Sequence, residues 1–235
     1  MTRVDLAAFV HEAGPSILED EALAALANRF VTPEICGEFA QNPHLTSYYS
    51  VRVALVAHQQ TPRTHAIKLV HYLYWFDLLR LSINVQVPAP VRRAIETQLL
   101  LRVQKLTLGE RIASARQCSA ALIPEFLFDP NPNVFEALLV NKRLREDDIL
   151  SLVTSTRATR EQLQMLAEDP KWSYRYGVRK ALVMNERTPR SVAASHLRHL
   201  SRRDLQQIHA NPATSVYVRR CIERLGAVPT APRAD

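Results

Sequence analysis

The chain has 235 residues, 47% of them hydrophobic, with 5 Gly, 14 Pro, 3 Cys and a formal net charge of +7. That hydrophobic share suits a packed core, while five glycines are few for a nucleotide-binding α/β or β-rich protein, whose turns and phosphate loops rely on positive φ. Cys36, Cys118 and Cys221 are odd in number and far apart, which excludes a disulfide framework or a CxxC metal site and fits a reducing compartment.

In chain order, residues 1 to 17 read as an N-terminal segment without the long apolar core of a signal peptide. No later window holds about 18 consecutive apolar residues, so a cytoplasmic protein without membrane contact is expected. A first helix is predicted from about Leu18 to Asn28, and Thr32-Pro33-Glu34 starts the next with a capping hydroxyl and a proline at its first position. Asn42-Pro43, Asp129-Pro130, Asn131-Pro132, Asp169-Pro170 and Asn211-Pro212 each end a helix, because a residue before proline avoids the αR region. Between these stops, Val178, Ala181 and Leu182 form one apolar stripe, closed by Asn185. Thr61-Pro62 and Thr188-Pro189 repeat the helix start seen at Thr32. The helix after Thr61 is predicted to turn Ala66, Leu69, Val70, Leu73 and Leu78 inwards up to Asn84. A last helix is predicted over about 214 to 225, and 227 to 235 reads as a disordered tail.

These elements recur. Shifting the sequence by 127 residues places 32 to 96 on 159 to 223 without a gap, with 23 of 65 positions identical. Tyr49 falls on Tyr176, Val51-Arg52 on Val178-Arg179, Asp77-Leu78 on Asp204-Leu205, and Asn84 on Asn211. Within this long period, Val51, Val91, Val134, Val178 and Val218 each open a similar helix at spacings of 40 to 44 residues, the length of two helices and two turns. Units are accordingly placed near 18 to 41, 43 to 84, 86 to 128, 130 to 168 and 170 to 210, with the third and fourth degenerate.

The pattern VRxALVxN, TPxxxA and a closing DLxxLxxN resembles the HEAT and armadillo-type repeats, and is most similar to the bacterial leucine-rich repeat variant. The resemblance implies an all-α fold, a right-handed α-solenoid of about five two-helix repeats with a C-terminal capping helix, forming a single domain over 18 to 226. It does not extend to the iron–sulfur cysteine cluster of that family, for which this chain has no residues. No cofactor is expected.

Several residue groups invite a functional reading. Arg52, Arg92, Arg179 and Arg219 form either a phosphate-binding ladder or a set of framework ties to neighbouring turns. Lys171, Trp172, Tyr174, Arg175 and Arg179 interleave bases with aromatics, a composition suited to stacking on nucleobases, although Tyr176 beside them repeats Tyr49 and reads as packing. The second helix of a solenoid repeat lines the concave face, which places Lys68, His71, Tyr72, Trp75 and Leu79 outwards, and Ser195, Arg198, His199, Arg202 and Gln206 in the later copy. One copy is aromatic and the other basic.

Charge follows the same division, with 12 bases and 13 acids in residues 1 to 140 but 18 and 10 in residues 141 to 235. Enzymatic motifs are absent: there is no HExxH, GxSxG or Walker sequence, and His196 with His199 lacks further ligands for a metal. Trp75-Phe76-Asp77 is reminiscent of the HEAT-like alkylpurine DNA glycosylases, but Asp77 recurs as Asp204, as a framework residue would. The expected role is therefore a non-enzymatic interaction scaffold. Its partner-binding set is Tyr72, Trp75, Lys68, His71, Arg198, His199 and Arg202, with a protein or peptide as partner. The alternative is nucleic-acid binding through the basic C-terminal repeats.

Overall fold

The computed structural model describes residues 17 to 227, so the N-terminal segment up to residue 16 and the tail from residue 228 lie outside the described residues. Among the described residues the fold is all-α, with sixteen α-helices, two 3-10 turns and no strand. Their internal contacts divide the chain into two units, Met1–Glu110 with Gln117–Leu122, and Arg111–Arg116 with Ile123–Asp235.

The first unit holds α1 (Glu19–Leu26), α2 (Pro33–Gln41), α3 (Pro43–Ser47), α4 (Tyr49–Ala57), α5 (Arg63–Val70), α6 (Trp75–Ser82) and α7 (Ala89–Arg102). Helix α1 packs on α4, and α5 and α6 pack on α7. The interior is aliphatic, with Val51, Leu55, Val70, Leu78 and Ile95 all at or below 1% exposure. After α8 (Leu108–Ala115) the second unit continues with α9 (Ile123–Leu127), α10 (Pro132–Leu139), α11 (Glu146–Thr154), α12 (Arg160–Glu168), α13 (Tyr176–Met184), α14 (Arg190–Leu197), α15 (Arg202–Ala210) and α16 (Val216–Arg224). Here α11 packs on α13, α13 on α14, and α14 and α15 on α16, around Leu182, Leu197, Ile208 and Ile222.

The junctions share one device. Asn28, Asn42, Asn84, Asp129, Asn131, Asn141, Asp169, Asn185 and Asn211 each accept, through Oδ1, the backbone N–H two residues on, at 2.8 to 3.0 Å. Such a turn mimics a backbone turn with a side-chain oxygen and needs no positive φ. Gly226, at φ 68°, is the one described residue in the left-handed region, which is why the chain manages with so few glycines. His58 and Ser155 take the same role at 3.1 Å. Asn185 and His58 leave their helices with ψ of 120° and 131° although no proline follows them, so the extended exit does not depend on the pyrrolidine ring.

Two expectations need correction. Thr32 does cap α2, accepting from the Ile35 N–H at 3.5 Å. Thr61 and Thr188 do not cap: α5 and α14 begin one residue later, with Pro62 and Pro189 as their caps, and both threonines are buried. The helix expected from Thr61 to Asn84 is also two helices. The N–H groups of Tyr72 and Leu73 turn back to the carbonyls of Leu69 and Val70, three residues behind, and the chain goes extended at Tyr74 (ψ 155°) before α6 starts. The later copy breaks identically, with His199 and Leu200 bonded to His196 and Leu197, and Ser201 extended at ψ 152°.

The structure also lengthens the repeat. Helices α1 and α11 stand 127 residues apart, and each is opened by a capping box in which a side chain accepts its cap residue's N–H: Glu21 from Leu18, and Asp148 from Arg145, both at 2.9 Å. Each unit therefore carries one copy of the block, α1 to α7 in the first and α11 to α16 in the second, with a turn over 170 to 174 where the first has α3.

Asn141 is fully buried, accepts the Arg143 N–H at 2.8 Å and donates to the Ala115 carbonyl at 2.9 Å. Asn141→Ala should destabilise the protein by about 1–3 kcal/mol, the cost of buried groups losing their partner. Asn185→Ala, at a half-buried site, should cost less in the same denaturant titration; equal costs would separate the junction's stability from its burial.

Candidate functional site

The breaks within the second helix of each copy are the best-defined surface features of the two units. In the first unit the turn 71 to 74 is gripped from two sides. Arg102, at the end of α7, donates to the carbonyls of His71 and Leu73, both at 2.7 Å. Tyr49, at the start of α4, accepts the Tyr74 N–H at 3.0 Å and donates its own proton to Asp77 at 2.5 Å. Burial, together with that bond to the Asp77 carboxylate, pushes the Tyr49 phenol up to about 12, so it remains a donor at neutral pH. The Tyr49 and Tyr74 rings lie 4.6 Å apart at 33°, and Arg80 closes on the other Asp77 oxygen at 3.1 Å.

What this pinned turn presents is aromatic. Tyr72, Tyr74 and Phe76 are 65%, 70% and 63% exposed, with Trp75 half-buried between them. Lys68 and His71 are also exposed beside the turn. Leu79, expected on the outer face, is buried at 1%. The break is the reason, since α6 restarts with a phase different from that of one continuous helix. Tyr74 and Phe76 were missed for the same reason.

In the second unit the same tie holds a different surface. Tyr176 accepts the Ser201 N–H at 3.0 Å and donates to Asp204. Lys180 reaches the other carboxylate oxygen at 2.7 Å, and Ser201 Oγ donates to Asp204 at 2.8 Å. Lys180, then Tyr176 and Ser201, hold the Asp204 carboxyl far below the usual carboxylate range. The tyrosine, the carboxylate and the bonded backbone N–H are equivalent in the two ties, but the cation comes from α6 in the first unit (Arg80) and from α13 in the second (Lys180). On this framework, Arg198, His199, Arg202 and Arg203 are all exposed where the first unit has His71, Tyr72, Trp75 and Phe76. The seven residues of the partner-binding set thus fall into two groups, one in each unit.

The residues 171 to 179 stand differently. Trp172 is 2% exposed at the position of buried Leu45, so its indole belongs to the core and cannot stack on a base. Lys171 lies over the Trp172 ring at 4.3 Å, Arg175 pairs with Glu146 at 3.3 Å, and Arg179 donates to the Ser173 carbonyl at 2.6 Å. Tyr174 is 74% exposed, with Arg179 5.3 Å from its centroid, and Tyr176 beside it is 45% exposed. Among the VR arginines, Arg179 and Arg219 hold turn carbonyls, Arg219 those of Asn211 and Pro212 at 2.9 and 2.7 Å. The buried Nε atoms of Arg52 and Arg92 make no hydrogen bond.

Among the described residues no group of three His, Cys, Asp or Glu could hold a metal ion, and no helix is long and apolar enough to cross a membrane. Shallow grooves among the described residues include one of about 540 Å³ beside the Tyr49–Asp77 tie and one of about 550 Å³ along α11 and α13. No known protein family, curated protein or solved structure matches the chain.

The depressed Asp204 fixes a sign for acid stability. A carboxyl ionised more readily in the folded chain stabilises it fully above its unfolded value near 3.9, and that contribution is lost as pH falls through the lower folded value. Asp204→Asn should therefore lower the melting temperature at pH 7, and the gap from wild type should narrow below about pH 4. A gap independent of pH down to 2 would show that the charge of Asp204 is not what the tie uses.

Proposed function

We propose that this chain is a non-enzymatic interaction scaffold, a right-handed α-solenoid of HEAT-like repeats capped by α16, that holds a protein or peptide partner on the second-helix face of its repeats. The duplication of a complete helical block, with the same turns and the same Tyr–Asp tie, supports the repeat architecture. The observation that carries the binding role is the exposure of Tyr72, Tyr74 and Phe76 on a turn held by Arg102 and Tyr49. Large rings grouped in water are unfavourable for a free surface and favour a partner that covers them. Their fixed backbone lowers the ordering cost of binding.

The surrounding charge describes the partner. Arg63, Lys68 and Arg80 are exposed on α5 and α6, and the one acid on these helices, Asp77, is engaged by Tyr49 and Arg80. An acidic segment with aromatic or aliphatic anchors would satisfy both features, the anchors against the rings and the carboxylates against the bases.

Selection of a displayed peptide library on the immobilised full chain should enrich sequences in which apolar anchors alternate with Asp or Glu. Tyr74→Ala should weaken a selected peptide about 30-fold, as loss of a hot-spot ring of about 2 kcal/mol requires. Unchanged binding to a folded Tyr72→Ser, Tyr74→Ser, Phe76→Ser variant would remove this surface from consideration.

A further inference from the structure

The last three helices of the second unit carry a charge arrangement that goes beyond the first-unit rings on which the peptide-binding reading rests. Between residues 187 and 224 there are eight arginines, no lysine and two carboxylates. Both carboxylates are engaged, Asp204 by Lys180 at 2.7 Å and Glu223 by His209 at 3.0 Å. Arg187 and Arg219 donate to backbone carbonyls. Arg198, Arg202, Arg203, Arg220 and Arg224 are exposed and form no hydrogen bond or ion pair among the described residues.

These bases fall along the two ends of α14. At its start, Arg190 stands 5.8 Å from the centroid of the Tyr217 ring on α16. Tyr217, Arg220 and Arg224 follow one another at helical spacing, opposite the inward Val218 and Ile222. At the far end of α14 are Arg198 and, opening α15, Arg202 and Arg203. Helix α14 has eight residues and so measures about 12 Å, a length of duplex axis over which one strand places three or four phosphates, about 3.4 Å of axis each.

We propose that this face, α14 to α16, is a nucleic-acid-binding surface that grips the phosphate backbone. The guanidinium fork suits phosphate oxygens, and a set made only of arginine suits them better than lysine would. A lipid surface fits less well, because the large apolar side chains exposed on this face, Val216 and Tyr217, both lie at the start of α16 and are too few to anchor it in a bilayer. Ties from the Tyr176–Asp204 pair fix the backbone that carries Arg202 and Arg203. The surface excludes residues 171 to 175 from the central role, since Trp172 is core and Arg175 is paired.

The test is fluorescence anisotropy of a labelled 20-nucleotide strand with the full chain at several salt concentrations. Binding at about 50 mM salt is expected, with log K falling linearly against log salt by about 0.7 for each phosphate neutralised. Replacing Arg198, Arg202 and Arg203 by serine should weaken binding at least 10-fold and flatten the slope by about 2. The same change at Arg190, Arg220 and Arg224 should act similarly. Both sets are exposed, so circular dichroism should be unchanged. Arg→Lys replacements should keep the slope while losing affinity. Absence of binding at about 50 mM salt would overturn the proposal, as would unchanged slopes in both serine variants. Equal or tighter binding to phosphatidylserine vesicles or polyglutamate would equally contradict it.

Discussion

Most helix junctions among the described residues rest on a side-chain oxygen standing in for a backbone acceptor. An Asn or Asp at the end of a helix takes the N–H two residues ahead, the chain leaves in an extended conformation, and the next helix begins within a few residues. Because the turn is closed by a side chain, its geometry stays in the ordinary β and αR regions, open to any residue at the neighbouring positions. The same oxygen can be matched by a nitrogen that reaches a neighbouring helix, as Asn141 does to Ala115 and Asn185 to Val153. The turn thus becomes a packing contact as well as a reversal. With the junctions fixed in this way, the apolar stripes of successive helices are set in phase, and the aliphatic cores of both units follow.

Much of this was legible in the sequence because junction residues are local signals. Asn-Pro and Asp-Pro steps marked helix ends, and the last helix, expected near 214 to 225, is observed at Val216–Arg224. The 127-residue period also pointed to its physical cause, since Tyr49, Asp77 and their counterparts are the partners of the tie. What was not legible depended on contacts distant in sequence. The break at 71 to 74 needs the Tyr49 hydroxyl to take the Tyr74 N–H, 25 residues away, and no local residue announces it. Missing that break misplaced Leu79 and hid Tyr74 and Phe76. Trp172 was misjudged for a related reason: a ring among basic residues resembles a stacking platform, and only its equivalence to buried Leu45 marks it as core.

The two copies illustrate how a repeat framework separates holding from presenting. Identical groups, a tyrosine hydroxyl, a carboxylate and one backbone N–H, fix the turn in both units. The cation that completes the tie is free to come from either helix, Arg80 in one copy and Lys180 in the other. The outward residues are released from structural duty and have diverged in opposite directions, to rings in the first unit and to guanidinium groups in the second. Repeat proteins keep framework positions while surface positions drift, and here both kinds sit within six residues of each other.

That separation can be measured directly by giving the first unit the outward residues of the second, His71→Arg, Tyr72→His, Tyr74→Ser and Phe76→Arg, with Trp75 retained, and recording the thermal unfolding of the full chain. Loss of the Tyr49–Tyr74 ring contact is the one structural change introduced, worth about 1 kcal/mol. The account predicts a single cooperative transition lowered by no more than about 5 °C. Loss of cooperativity, or a drop of more than about 15 °C, would mean that the exposed rings hold the turn together and are not free for a partner.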